Sequence, residues 1–264
     1  MKHRHTTAAL VVLLAGMALC QGSAVAADGY VAKASAPDTL AILPAPPKPD
    51  SGVQADDRAA FAATRNLEGS PRWALAISDA EQSPESAFLD FACALGVTLD
   101  DGKAPVLSNL LSRARVDAGW AVGPPKDHYG RHRPYLDQPG DICVEKTPSL
   151  AASASYPSGH STLSWTWALI LAELAPDRAT EILTRARVYA ESRVVCGVHY
   201  PSDIEAGRAN GSILFAALQS SPDFRADMDK ARAEMDAARK AGGGVPPNPG
   251  QCKVEADAAA ARPW

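Results

Sequence analysis

The sequence predicts an all-α fold, and three observations carry the prediction. Apolar residues recur at three- and four-residue spacing through nearly every segment beyond the first fifty residues. The alternating patterns that mark strands are almost absent. Prolines fall where helices begin or have just ended, as Pro84, Pro176, Pro201 and Pro222 do, and there a missing backbone N–H costs little. With 46% hydrophobic and 21% charged residues, the 264-residue chain can bury a core and is too apolar for a disordered polyelectrolyte.

In chain order, Lys2, His3, Arg4 and His5 make a basic start, residues 8–19 are almost wholly apolar, and Ala24-Val25-Ala26 offers a small-x-small cleavage site. Residues 1–26 therefore read as a secretory signal peptide, and the mature protein is expected in the periplasm or outside the cell. The apolar stretch falls short of the roughly 20 residues a membrane-spanning helix needs, and no later segment reaches that length, so no membrane insertion is expected. Bulky Leu19 before Cys20 argues against a lipoprotein site. Residues 34–49, with five prolines, forbid regular helix and suit an extended arm laid over the body. Helical periodicity then marks 57–67, 84–95, 104–122, 159–174, 177–195, 201–219 and 222–241. Residues 242–264 open on Gly242-Gly243-Gly244 and read as a loose tail unless Cys252 is tethered. Without a central linker, residues 27–264 are read as one helical domain.

Charge narrows the function classes. The net charge of -4 becomes -6 once Lys2 and Arg4 leave with the signal, so no global basic field exists to hold a nucleic acid polymer or an anionic membrane. Any anion site must be local. The four remaining cysteines, Cys93, Cys143, Cys196 and Cys252, form an even set in a compartment that permits disulfides, and three pairings are open. No CxxC spacing suggests a metal site.

Three short stretches concentrate cations, imidazoles and glycine. In Pro157-Ser158-Gly159-His160, the helix that follows aims its first N–H groups and its dipole at an anion, Gly159 lets a ligand approach the backbone, and His160 can donate a proton there. Taken alone, Ser158 reads equally well as an ordinary N-cap and His160 as a surface histidine. In the stretch from Ser192 to Asp203, His199 and Asp203 are four apart at a helix start, so the carboxylate can fix the imidazole tautomer and free the other nitrogen as nucleophile or base. Arg193 adds a planar fork suited to phosphate oxygens. The stretch from Lys126 to Pro134 supplies Lys126 and Arg133, with His128 and His132 between them, and by itself is what a solvated basic loop looks like.

Together the three stretches satisfy K-x6-R-P, then P-S-G-H, then S-R-x5-H-x3-D. The sequence thus resembles the type 2 phosphatidic acid phosphatase superfamily, and Ser155-Tyr156 and Val194-Val195-Cys196-Gly197 beside the motifs look like the soluble bacterial class A non-specific acid phosphatases. The resemblance implies an all-α bundle and a phosphomonoesterase that needs no metal or other cofactor and works through a phosphohistidine. It makes His199 the nucleophile, Asp203 its orienting partner and His160 the acid and then the base. Lys126, Arg133, Arg193, the backbone and side chain of Ser158 and the N–H of Gly159 would hold the phosphate oxygens. Small phosphomonoesters are the implied substrates, with phosphotransfer to alcohols as a side reaction and inorganic phosphate or vanadate as inhibitors. The oligomeric state stays open, a homo-oligomer included. By the same resemblance Cys143 and Cys196, at positions where the class also carries cysteine, are expected to form one bridge, and Cys93 and Cys252, particular to this chain, the other. Ala154, Ser161 and Tyr200-Pro201 depart from the class pattern beside the leaving-group pocket without removing a catalytic atom.

Three other readings share these motifs: a lipid phosphate or isoprenoid diphosphate phosphatase, a vanadate-dependent haloperoxidase, and a non-catalytic phosphate binder. The first is disfavoured by the absence of a spanning segment. The last needs neither a nucleophile nor an acid.

Overall fold

A computed structural model describes residues 28–240 and 244–264; the signal-peptide reading falls on residues 1–26, outside them. The described residues form α-helices α1 Thr39–Ile42, α2 Gly52–Thr64, α3 Pro71–Ser78, α4 Pro84–Asp90, α5 Ala92–Leu95, α6 Pro105–Tyr129, α7 Pro134–Asp137, α8 Pro148–Ala152, α9 Gly159–Leu174, α10 Ala179–Val195, α11 Pro201–Leu218, α12 Pro222–Arg239 and α13 Pro249–Ala260. Among them no strand forms; one isolated antiparallel bridge joins Thr98 to Val245.

Local chemistry sets most starts. Eight of the α-helices begin on a proline. Ser51, Ser70, Ser83, Thr147, Ser158 and Ser221 each accept a backbone N–H of the first turn that follows.

The buried centre is α9, α10 and α11, with α6 and α12 packed around α9. Trp167 of α9 is fully buried and donates its indole N–H to Leu111 O of α6 at 3.0 Å. Gly207 and Gly211 let α11 lie directly on the start of α9. A Cβ at Gly207 would stand 2.6 Å from Ser158 O, and one at Gly211 would stand 2.7 Å from Thr162 O. These two glycines therefore fix the distance between the helix start carrying His160 and the helix carrying Asp203.

Several boundaries differ from the sequence reading. The arm over 34–49 contains one helical turn, α1, because Asp38 caps Leu40 N and Ala41 N between Pro37 and Pro44. Helix 84–95 breaks at Phe91 into α4 and α5. Helix 104–122 instead runs on to Tyr129 through Pro124 and Pro125. Pro125 has no N–H for Ala121 O, and that carbonyl is satisfied by Thr39 Oγ1 at 2.8 Å and Asn210 Nδ2 at 3.1 Å. The arm thus supports the segment that delivers Lys126. Beyond Gly244 the chain is not loose: α13 is tethered by the Cys93–Cys252 disulfide, and Cys143–Cys196 forms the second bridge.

Candidate active site

The three sequence stretches converge. Lys126, Arg133, Gly159, His160 and His199 line one cavity of about 450 Å³. Arg193 faces a neighbouring cavity of about 470 Å³ that shares Arg133, Ser153 and His160 with the first. Lys126 comes from the last turn of α6, which stops at left-handed Gly130 with φ 53°. Its Nζ donates to Ala154 O. Arg133, the residue before α7, is clamped by backbone carbonyls: Nε donates to Leu150 O and Ser153 O, and Nη1 to Val198 O at 2.9 Å.

His199 is 2% exposed and its two nitrogens have opposite neighbours. Nε2 receives the guanidinium of Arg133 at 3.2 Å, so it carries the lone pair. Nδ1 lies 3.3 Å from Ser155 Oγ and 3.7 Å from Asp203 Oδ2, too far for a direct hydrogen bond to the carboxylate. Ser155 Oγ donates to Asp203 Oδ2 at 2.6 Å. Asp203 therefore reaches His199 through a serine hydroxyl, where the sequence suggested direct contact. The carboxylate is fully buried, also accepting the N–H of Tyr200 at 2.8 Å and the guanidinium of Arg131. Arg131 is anchored in turn by Gln54 and Asp57 of α2.

His160 Nε2 faces Ala80 O at 3.0 Å, so Nε2 carries the proton and Nδ1 is left for a ligand. Ser158 departs from its expected role in part. Its backbone N–H donates to Asp203 O at 3.0 Å and its Oγ accepts from Ser161, so that N–H is committed to the fold and only the hydroxyl proton remains to give. Arg193 is 3% exposed; Nη1 reaches Asp79 O at 3.5 Å and Nε has no partner among the described residues. Buried donors left over in a cationic pocket suit an oxyanion.

Electrostatics favours the same ligand. Burial, then Arg133, Lys126 and Arg193, hold His199 well below the usual histidine range, and burial, then Arg193, do the same to His160. Burial, then Arg133, pulls Lys126 down to about 7. Each shift records burial first and the positive charge of its neighbours second, and a bound anion would offset the second.

His128 and His132 stay outside the cavity: His128 meets the ring of Tyr129, and exposed His132 faces Asp137 at 3.1 Å. Ser155, Arg131 and the carbonyl of Ala80 touch the candidate site residues, and sequence reading did not single them out. Ser155 and Arg131 stood inside the quoted stretches, but nothing in the spacing separates them from their neighbours.

The PAP2 superfamily model matches residues 106–225, which contain all three stretches. The chain is 44% identical over 222 residues to an acid phosphatase of Zymomonas mobilis, covering 84% of this chain and 83% of that one. It is 35% identical over 196 residues to a non-specific acid phosphatase of Salmonella typhimurium, covering 74% and 78%, and 34% identical over 213 residues to one of Providencia stuartii, covering 80% and 86%.

Proposed function

Because this chain belongs to the class A acid phosphatases of the PAP2 superfamily, we propose that it hydrolyses phosphomonoesters through a phosphohistidine formed on His199. The observation that carries the reading is the tautomer of His199: a lone pair on Nε2 inside the cationic cavity, with Nδ1 backed by Ser155 and Asp203.

An incoming phosphate draws Arg133 off Nε2 and onto its own oxygens. Nε2 then attacks phosphorus while the ester P–O bond breaks opposite it, and Nδ1–H of His160 gives its proton to the leaving alkoxide. The imidazole charge that develops on His199 is answered through Ser155 by Asp203. Water next attacks phosphorus, neutral His160 takes its proton, and the P–N bond breaks to release inorganic phosphate. Burial and then Arg193 hold His160 neutral; a bound phosphate dianion among Arg193, Arg133 and Lys126 reverses that balance and charges it. Three fixed cations and the N–H of Gly159 supply the stabilisation that a metal gives elsewhere. We assign the enzyme to the periplasm or cell exterior on its N-terminal sequence, its two disulfides and the lack of any described helix long and apolar enough to cross a membrane.

The test is hydrolysis of p-nitrophenyl phosphate at acidic pH with excess EDTA, run beside His199→Ala, with alkaline quenching of a 32P-labelled substrate to preserve any P–N bond. Activity that survives EDTA, acid-labile label on the wild type and at least a 10³-fold loss in the variant are expected. Activity restored only by a divalent metal, or a variant near wild-type rate, would overturn the mechanism.

A further inference from the structure

The cavity continues past the catalytic groups along α6. Arg115, Gly119, Val122 and Lys126 all line it, and they share one face because eleven residues make about three turns. Gly119 leaves that face open, since a Cβ built there meets nothing within 4 Å. Arg115 stands at the far end, exposed, with no ion pair or hydrogen bond among the described residues. Arg113, two residues earlier, is by contrast fully engaged with Asp227, the carbonyls of Asp28 and Gly29 and the ring of Tyr30. The charged residues lining the cavity outside its histidines are Arg115, Lys126 and Arg133, with no carboxylate among them, although the chain carries a net charge of -4.

We propose that Arg115 is a second anion subsite, which makes the enzyme select phosphomonoesters whose leaving group bears a further phosphate. This rests on the phosphatase reading of the neighbouring site. Lys126 and Arg115 are separated by about 16 Å along the helix, and because both side chains lean toward its N-terminus their charged heads keep roughly that spacing, about a phosphate–cation contact longer at each end than the bisphosphate between them. That span fits a sugar carrying a phosphate at each end, lying over Gly119 with one phosphate at His199 and the other at Arg115. A neutral leaving group finds no partner there, and the cationic lining offers none to a leaving group that is itself positive.

The test compares initial rates on fructose 1,6-bisphosphate and fructose 6-phosphate for the wild type, Arg115→Ala and Arg115→Glu. The wild type is expected to favour the bisphosphate in kcat/KM by about fivefold, the scale of one exposed ion pair. Arg115→Ala should bring the ratio close to one and Arg115→Glu should invert it, both through KM, and 0.5 M salt should shrink the wild-type preference. Equal rates on the two substrates by the wild type, or a preference unchanged in both variants, would overturn the subsite and leave the phosphatase reading intact. No hydrolysis of either substrate or of p-nitrophenyl phosphate would overturn both.

Discussion

At the scale of single residues, the proposed mechanism depends on proton positions set before substrate arrives. His199 is kept neutral by burial and by three cations, so its lone pair stays available well into acid. Lys126 limits the other side: its charge is lost as pH rises through about 7, and with it goes part of the attraction for a phosphate dianion. Because kcat/KM reports the free enzyme, in which His160 also titrates below the usual histidine range, the optimum should be acidic, and loss of the Lys126 charge should set a further alkaline limb near that value. Lys126→Arg tests the assignment, since a guanidinium stays charged throughout. The crowding of a larger head against Ala154 should cost on the order of tenfold at pH 5, while the alkaline limb of a pH profile of kcat/KM moves up by at least one unit. A limb that stays in place would transfer the titration to His160.

Among elements, α13 shows how a distant helix reaches the site. Its Glu255 lies 3.4 Å from Arg185 of α10, which also faces Asp79 at 2.5 Å and Asp90 at 3.7 Å. Asp79 stands beside Ala80, whose carbonyl holds His160. Three carboxylates around one guanidinium leave negative charge in excess, and burial drives Glu255 above the usual carboxylate range despite Arg185, and Asp90 well above it. A raised folded-state pKa contributes stability that is complete below the ordinary carboxylate pKa and is lost as pH rises through the raised value. Glu255→Gln, neutral at every pH, should therefore melt with the wild type near pH 4 and about 3 °C above it at pH 7.5, equivalent to about 1 kcal/mol. A variant that melts lower at pH 7.5 would show that the Glu255–Arg185 pair stabilises on balance. None of this is legible in the sequence, and the reason is physical. The long helices could be read because burial of one face imposes a 3.6-residue period, and α9 begins and ends where that period does. The short helices α3, α7 and α8 hold too few turns for a period to show, and α13 could not be placed without knowing that Cys252 is tied to Cys93. In the site, His160, His199 and the cations announce themselves by fixed spacing. Ser155 and Arg131 act across 48 and 72 residues on Asp203, through contacts that only the folded chain creates.

For the whole molecule, the two disulfides divide the tasks of stability and alignment. Cys93–Cys252 closes 159 residues and Cys143–Cys196 closes 53, loops whose chain entropy is worth at most about 5 and 4 kcal/mol. The long bridge ties α13 to α5. The short one stands next to the catalytic turn: Cys143 N donates to Cys196 O at 3.0 Å, and Gly197, at φ 83°, turns the chain into Val198 and His199 immediately after it. Val198 O is also one of the carbonyls that hold Arg133. Replacing Cys93 and Cys252 together by serine should thus lower the melting temperature by about 10 °C, for a loss of about 3 kcal/mol, and leave kcat at 25 °C within about twofold. Replacing Cys143 and Cys196 should lower both, with kcat falling by on the order of tenfold, because a catalytic turn released by a fraction of an ångström loses alignment before it loses structure. Calorimetry and steady-state rates on the two double variants separate these effects. Equal losses of kcat in both would mean that the bridges act only through global stability, and that the turn carrying His199 is held by its hydrogen bonds alone.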